Sequence, residues 1–231
     1  MESESSYFPA LAIELSQHEG SVVARDGEGR EEVRTFAAGR RDRDVLLPAI
    51  DETIEAIGIR PVDLSLVAVD IGPGGFTGLR ISIATAQAIS EVTGAALIGV
   101  DGAVVAAAGT PETQEASGEV LVFLASKRES AWCSRLTRIK ERWQEIAPPE
   151  VVDTVPKGHA KLALSDEHLP DQIRAELVEA GVLIVNPVHE ATAVLQQAIF
   201  MFREGKTTLP EELQPLYPRE PEAVRMWRNL R

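Results

Sequence analysis

The chain has 231 residues, 44% of them hydrophobic and 5% aromatic, with 23 basic against 36 acidic side chains and a formal net charge of −13. A chain of this length buries a sizeable core as one large domain or two small lobes, while its acidic balance excludes an unaided binder of polyanions. A single cysteine, Cys133, excludes an internal disulfide framework and a cysteine pair for zinc, and no stretch reaches the ~20 apolar residues of a membrane span.

The opening stretch "MESESSYFPALAIELS" is acidic and lacks a basic segment followed by a long apolar one, so a cytosolic protein is expected. "ALAIELS" and "SVVAR" read as strands joined by the short "QHEG" turn, and "VRTFAA" as a third strand of an antiparallel meander. The basic "GRRDR", residues 39–43, reads as a solvated loop. From Asp44 to Ile57 the spacing turns helical: Leu46, Ile50, Ile54 and Ile57 share one face, and Asp51, Glu52 and Glu55 the other. "LSLVAVDI", residues 64–71, is too continuously apolar for a one-sided strand and predicts one buried on both faces. A glycine-rich turn and a helix from Phe76 to Thr93 follow, stopped by Gly94. "AALIGV" reads as another buried strand, and Asp101 as the cap of the short apolar helix "GAVVAAA". The small, polar run "GTPETQEASGE", residues 109–119, is the best linker candidate. Beyond it "VLVFLAS" and "AWCSRLTRI" read as strands, and a proline-rich stretch gives no clear pattern. "PDQIRAELVEAG" reads as a helix and "VLIVN" as a strand. "EATAVLQQAIFMFREG" reads as a helix with Val194, Leu195, Ala198, Ile199 and Phe202 inward, and the basic "RMWRNLR" ends the chain. The expected division is a lobe over 8–108, a linker over 109–119, and a second lobe with the tail over 120–231.

The stretch "VDIGPGGFTGLRISIATAQAIS" raises the functional question. Gly72, Gly74, Gly75 and Gly78 permit close backbone approach after a strand, Pro73 stiffens the turn, and the amides at the start of the helix are suited to an anion. The loop lacks the Lys-Ser/Thr ending of a P-loop and a partner acid that completes a dinucleotide fingerprint. On the glycines alone, tight packing of strand against helix is the favoured reading.

The whole string "GPGGFTGLRISIATAQAIS" resembles the Gly-Pro-Gly-Ser-Phe-Thr-Gly-Leu-Arg signature of the TsaB (YeaZ) family of tRNA threonylcarbamoyladenosine biosynthesis subunits. "LAIELS" is similar to that family's opening strand, "IGVDGAVVAAA" to the segment after its long helix, and "LQPLYPREPEAVRMW" to its closing Pro-x-Tyr-x-Arg-x-Pro-Glu-Ala-Val. The resemblance implies an actin-like α/β fold of the sugar-kinase/Hsp70 type, with two related lobes of which the second is smaller and divergent. It also implies a non-catalytic subunit that pairs through helices of its first lobe with TsaD, the threonylcarbamoyl transferase; TsaE, an ATPase, joins them, and tRNA is met only in the complex. The partner seam is then expected on Leu46, Ile50, Leu79, Ile83, Ala84, Ala86, Gln87 and Ala88. A vestigial phosphate loop is expected from Glu14, Ser16, Gly72, Gly74, Gly75, Thr77, Gly78 and Arg80. Glu14 stands where the family has an aspartate, Gly75 where it has a serine, and "FLASKRESAW" replaces its Asp-Ala-Arg-x-x-Glu pattern by Ala125, Ser126, Lys127 and Ser130.

The residues themselves offer little catalytic machinery. No two of His18, His159, His168 and His189 have the i, i+4 spacing of a helical metal pair, so no metal site is expected, and each reads as a surface or capping residue. Ser16, Ser126 and Ser130 lack the setting of a nucleophile elbow. Cys133 reads as a small hydrophobe. Three readings stay open: the scaffold subunit, with no cofactor of its own and ATP at the partner interface undecided; a nucleotide-dependent phosphotransferase of the same fold; and a homodimeric binding module using the same helix.

Overall fold

The structure is a computed structural model and describes residues 7–37 and 45–218. The start of the chain, "GRRDR", Asp44 and residues 219–231, with most of the closing motif and the basic end, lie outside the described residues.

Two five-stranded sheets carry the fold. The first has the order β3-β2-β1-β4-β5, built from β1 (Ala10–Glu14), β2 (Glu19–Arg25), β3 (Glu31–Ala37), β4 (Leu66–Asp70) and β5 (Ala96–Val100). β1 to β3 form the expected antiparallel meander, and β1, β4 and β5 run parallel. β1 and β4 are buried at every position, as the unbroken apolar runs require of strands covered on both faces. The second sheet has the order β10-β9-β6-β7-β8, from β6 (Glu119–Lys127), β7 (Ser130–Ile139), β8 (Arg142–Val152), β9 (Leu162–Leu164) and β10 (Leu183–Val185). It repeats the topology of the first: a meander of three strands whose first member pairs in parallel with the fourth, and the fourth with the fifth.

The helices are α1 (Leu46–Ala56), α2 (Phe76–Thr93), α3 (Gly102–Gly109), α4 (Pro111–Gln114), α5 (Asp171–Glu179) and α6 (Ala191–Arg203). α1 buries Leu46, Ile50 and Ile54 and turns Asp51, Glu52 and Glu55 to solvent, as its spacing predicts. α2 begins and ends where predicted, its last turn closed by Gly94 in the left-handed conformation, whose N–H donates to the Ser90 carbonyl at 2.8 Å. Asp101 caps α3 by accepting from the Ala103 N–H at 2.7 Å.

Two helices lock the sheets together. α3 leaves the first sheet and packs on β6, β7 and β8 of the second, whereas α6 leaves the second and packs on β1, β2, β4 and β5 of the first. One apolar cluster therefore runs from Ala12 and Ala68 through Val105 and Val194 to Val122 and Leu164. Residues 109–119, read as a linker, include α4, and Thr113 Oγ ties it back to the Ala107 and Thr110 carbonyls at 2.5 and 2.6 Å. After α6 the chain returns to the first sheet: the Thr208 N–H donates to Leu97 at 2.8 Å and the Leu216 N–H to Ile71 at 2.7 Å. No helix among the described residues is long and apolar enough to cross a membrane.

Candidate functional site

The C-terminal edge of parallel strands is where α/β sheets place their ligands. Here three adjacent strands each deliver a carboxylate to that edge: Glu14 ends β1, Asp70 ends β4 and Asp101 follows β5. The register pairs Ile13 with Val69 and Asp70 with Val100, so Glu14 and Asp70 are neighbours and Asp101 is next in line. Glu14 and Asp70 are fully buried. Glu14 Oε1 accepts from both the N–H and the Oγ–H of Ser16 at 2.6 Å, and Asp70 Oδ1 accepts from the Gly72 N–H at 2.6 Å. Their other oxygens, Oε2 and Oδ2, are buried without a hydrogen-bond partner. Burial pushes the Glu14 carboxyl up to about 7; burial, and then the adjacent Glu14 charge, do the same to Asp70. Asp101 is also raised to about 7, chiefly by burial, with Glu145 and Asp70 adding repulsion. The edge thus holds protons close to neutral pH.

The glycine turn lies directly against this edge. The N–H of Gly75, the N-cap of α2, donates to the Ser16 carbonyl at 2.7 Å. A Cβ on Gly74 would lie 2.5 Å from the same oxygen, and one on Gly78 would lie 2.0 Å from the Leu15 carbonyl. The glycines are needed because the hairpin end sits where side chains would be, and an amide that could face an anion already has an acceptor. Of the eight residues expected in a phosphate loop, Glu14, Ser16, Gly72, Gly74, Gly75 and Gly78 come together around this contact. Thr77 and Arg80 are exposed and stand apart from it. The Arg80 guanidinium lies over the Phe76 ring at 3.8 Å and its Nε–H donates to the Tyr217 hydroxyl at 3.1 Å, while Phe76 and Tyr217 stack at 5.7 Å. That surface cluster joins the start of α2 to the returning tail.

α2 has two apolar faces, and the structure separates them. Leu79, Ile83 and Ala86 are buried against the sheet, whereas Ile81, Ala84, Ala88 and Val92 are exposed, Val92 to 82%. The expected partner seam is corrected accordingly. Leu46, Ile50, Leu79, Ile83 and Ala86 fill the core of this chain and present no surface to another, because the sheet demands one whole face of each helix. Gln87 is engaged by the tail, its Nε2 donating to the Pro210 and Leu213 carbonyls at 2.5 and 3.1 Å. Ala84 and Ala88 are the two seam residues on the open face.

Asp70, Asp101 and Tyr217 were not singled out as site residues by sequence reasoning. A lone acid closing an otherwise apolar strand was the available signal for the first two. His18, His159 and His168 are exposed as expected. His189 differs: its Nε2 is buried without a partner, and burial lowers its imidazole to about 4. Cys133 is buried, which pushes its thiol up to about 12 and leaves it an inert hydrophobe. Among the described residues no group of three or more His, Cys, Asp or Glu side chains is placed to hold a metal ion.

Comparison with known proteins places this geometry. The profile of the family TsaD, tRNA N6-adenosine threonylcarbamoyltransferase, matches residues 36–181. The chain is 26% identical over 234 aligned positions to the tRNA threonylcarbamoyladenosine biosynthesis protein TsaB of Escherichia coli (strain K12), covering 95% of this chain and 97% of that one. Two solved structures share the fold. One is an uncharacterized protein with similarity to peptidase YEAZ from Pseudomonas aeruginosa, with a TM-score of 0.75 and 20% identity over 91% of this chain and 99% of its own. The other is YeaZ from Pseudomonas aeruginosa, at 0.73 and 19% over 90% and 98%. The architecture is the two-sheet, actin-like α/β fold expected from the sequence.

Proposed function

Since the chain belongs to the family of the tRNA N6-adenosine threonylcarbamoyltransferase TsaD and, within it, to the TsaB (YeaZ) group, we propose that it is a non-catalytic subunit of tRNA threonylcarbamoyladenosine biosynthesis. In this reading it supports a TsaD-like transferase, a TsaE-like ATPase joins the two, and tRNA is engaged only by the assembly. The observation that carries the reading is the contact between Ser16 and the glycine turn. The amide at the start of α2 is given to a backbone carbonyl, and the space beside it is taken by Leu15 and Ser16. A phosphotransferase needs that space for phosphate oxygens and a cation beside them. Here the neighbouring groups are carboxyls that favour a proton over a negative ligand.

What remains to act is the open face of α2. Ile81, Ala84, Ala88 and Val92 form a shallow stripe on which a second helix can approach closely, and Phe76, Arg80 and Tyr217 border it. Co-elution of the purified chain with a TsaD homologue from its own organism tests the assignment. A stable complex is expected, and independent migration of the two proteins across micromolar concentrations would oppose it.

A further inference from the structure

Away from the carboxylate edge, a cavity of about 440 Å³ opens between the turn joining β2 to β3, the turn joining β7 to β8, and α6. Its volume falls within the range of small-molecule sites. Arg25, at the end of β2, is directly opposite Glu31 in the ladder, yet no carboxylate among the described residues forms an ion pair with it. Its guanidinium instead lies over the Phe8 ring, 5.4 Å from the centroid, and its Nε is buried without an acceptor. The side chain is thus held in place by an aromatic face rather than by a counter-ion. The Arg203 guanidinium also lies over a ring, that of Tyr7, to whose hydroxyl it donates.

Carboxylates line the same cavity. Glu28 is engaged by Arg30 at 3.7 Å, whereas Glu31 and Glu141 form no ion pair among the described residues. Leu195, Ile199 and Phe200 of α6 provide an apolar wall. A simple anion that approached Arg25 would meet the repulsion of these carboxylates, and a simple cation would meet the Arg25 guanidinium. A molecule carrying both charges a few bonds apart satisfies both.

We propose that this cavity binds a small zwitterion of the amino-acid class with an apolar side chain. Its carboxylate lies on Arg25, its ammonium toward Glu31 and Glu141, and its side chain against the α6 wall. The site is independent of the partner face of α2 and of the role proposed for it.

Titration of the full chain with L-phenylalanine, followed by amide chemical shifts, tests the proposal. Saturable binding in the millimolar range is expected, with shifts at Arg25, Glu141 and Phe200. N-acetyl-L-phenylalanine, which lacks the ammonium, and L-phenylalaninamide, which lacks the carboxylate, each bind at least about tenfold more weakly. Arg25→Met, which keeps the apolar stem over Phe8, removes the discrimination against the amide. Glu141→Gln, on an exposed turn where folding is not at stake, weakens the discrimination against the acetylated form. Absence of saturation, equal binding of the three compounds, or unchanged discrimination in a folded Glu141→Gln and Arg25→Met pair would overturn it.

Discussion

Glu14 and Asp70 are two acids set side by side, and among the described residues nothing cationic lies against their free oxygens, which makes the protein's stability depend on pH. In an unfolded chain they release their protons near pH 4; in the folded chain both hold them up to about 7. The folded state therefore binds protons more tightly than the unfolded state. The stabilising effect is complete below about pH 4 and is lost as the pH rises through about 7. Urea midpoints should accordingly fall between pH 5 and pH 8. Glu14→Gln keeps an oxygen for Ser16, has no proton to lose, and relieves Asp70 of a neighbouring charge. It should raise stability at pH 8 by up to about 3 kcal/mol and flatten the dependence, with Asp101 supplying what slope remains. An unchanged slope in that variant would show that the acids are ionised without cost.

At the scale of the element, α2 is divided between its own core and its surroundings, and its opposite faces should respond differently to charge. Ala86→Glu buries a carboxylate at a fully buried position and should cost several kcal/mol, read as a loss of the cooperative thermal transition. Ala88→Glu, on the open face, should keep the circular dichroism and melting of the parent yet fail to co-elute with a TsaD homologue. Retained co-elution would move the interface elsewhere. Gly78→Ala tests the elbow: its Cβ meets the Leu15 carbonyl, and a loss of about 1–3 kcal/mol or more is expected. Both faces of α2 were legible because nearly every residue between Phe76 and Thr93 is uncharged. Which face the sheet takes was not, since Leu79 and Ile81 are equally apolar and only the direction in which the turn launches the helix decides between them. β8 escaped notice for a different reason. Pro148 and Pro149 speak against a strand, but β8 is the edge of its sheet, where missing N–H groups forfeit few ladder bonds. β9 is only three residues long, too short for any period to show. The carboxylate edge was hidden because the acids stand at the ends of three strands separated in sequence, brought into line only by the parallel pairing.

Taken whole, the molecule has the paired sheets of an actin-like fold with the space between them filled. α3 and α6 cross from one sheet to the other and share a single apolar cluster, so opening the sheets to admit a nucleotide would expose much of the core. The purified chain is accordingly expected to show no steady ATP hydrolysis; turnover abolished by Glu14→Ala would instead assign it the chemistry of a phosphotransferase. In the proposed function the acidic surface and the open stripe on α2 face a partner that supplies the basic groups and the reacting ones. The most direct measurement is formation of threonylcarbamoyladenosine in tRNA by the TsaD and TsaE homologues of the same organism, given threonine, bicarbonate and ATP, with and without this chain. Modification that requires the wild-type chain and is restored by Glu14→Ala but not by Ala88→Glu is the predicted result. Equal modification without the chain, or loss of modification with Glu14→Ala while its complex with TsaD stays intact, would contradict the account.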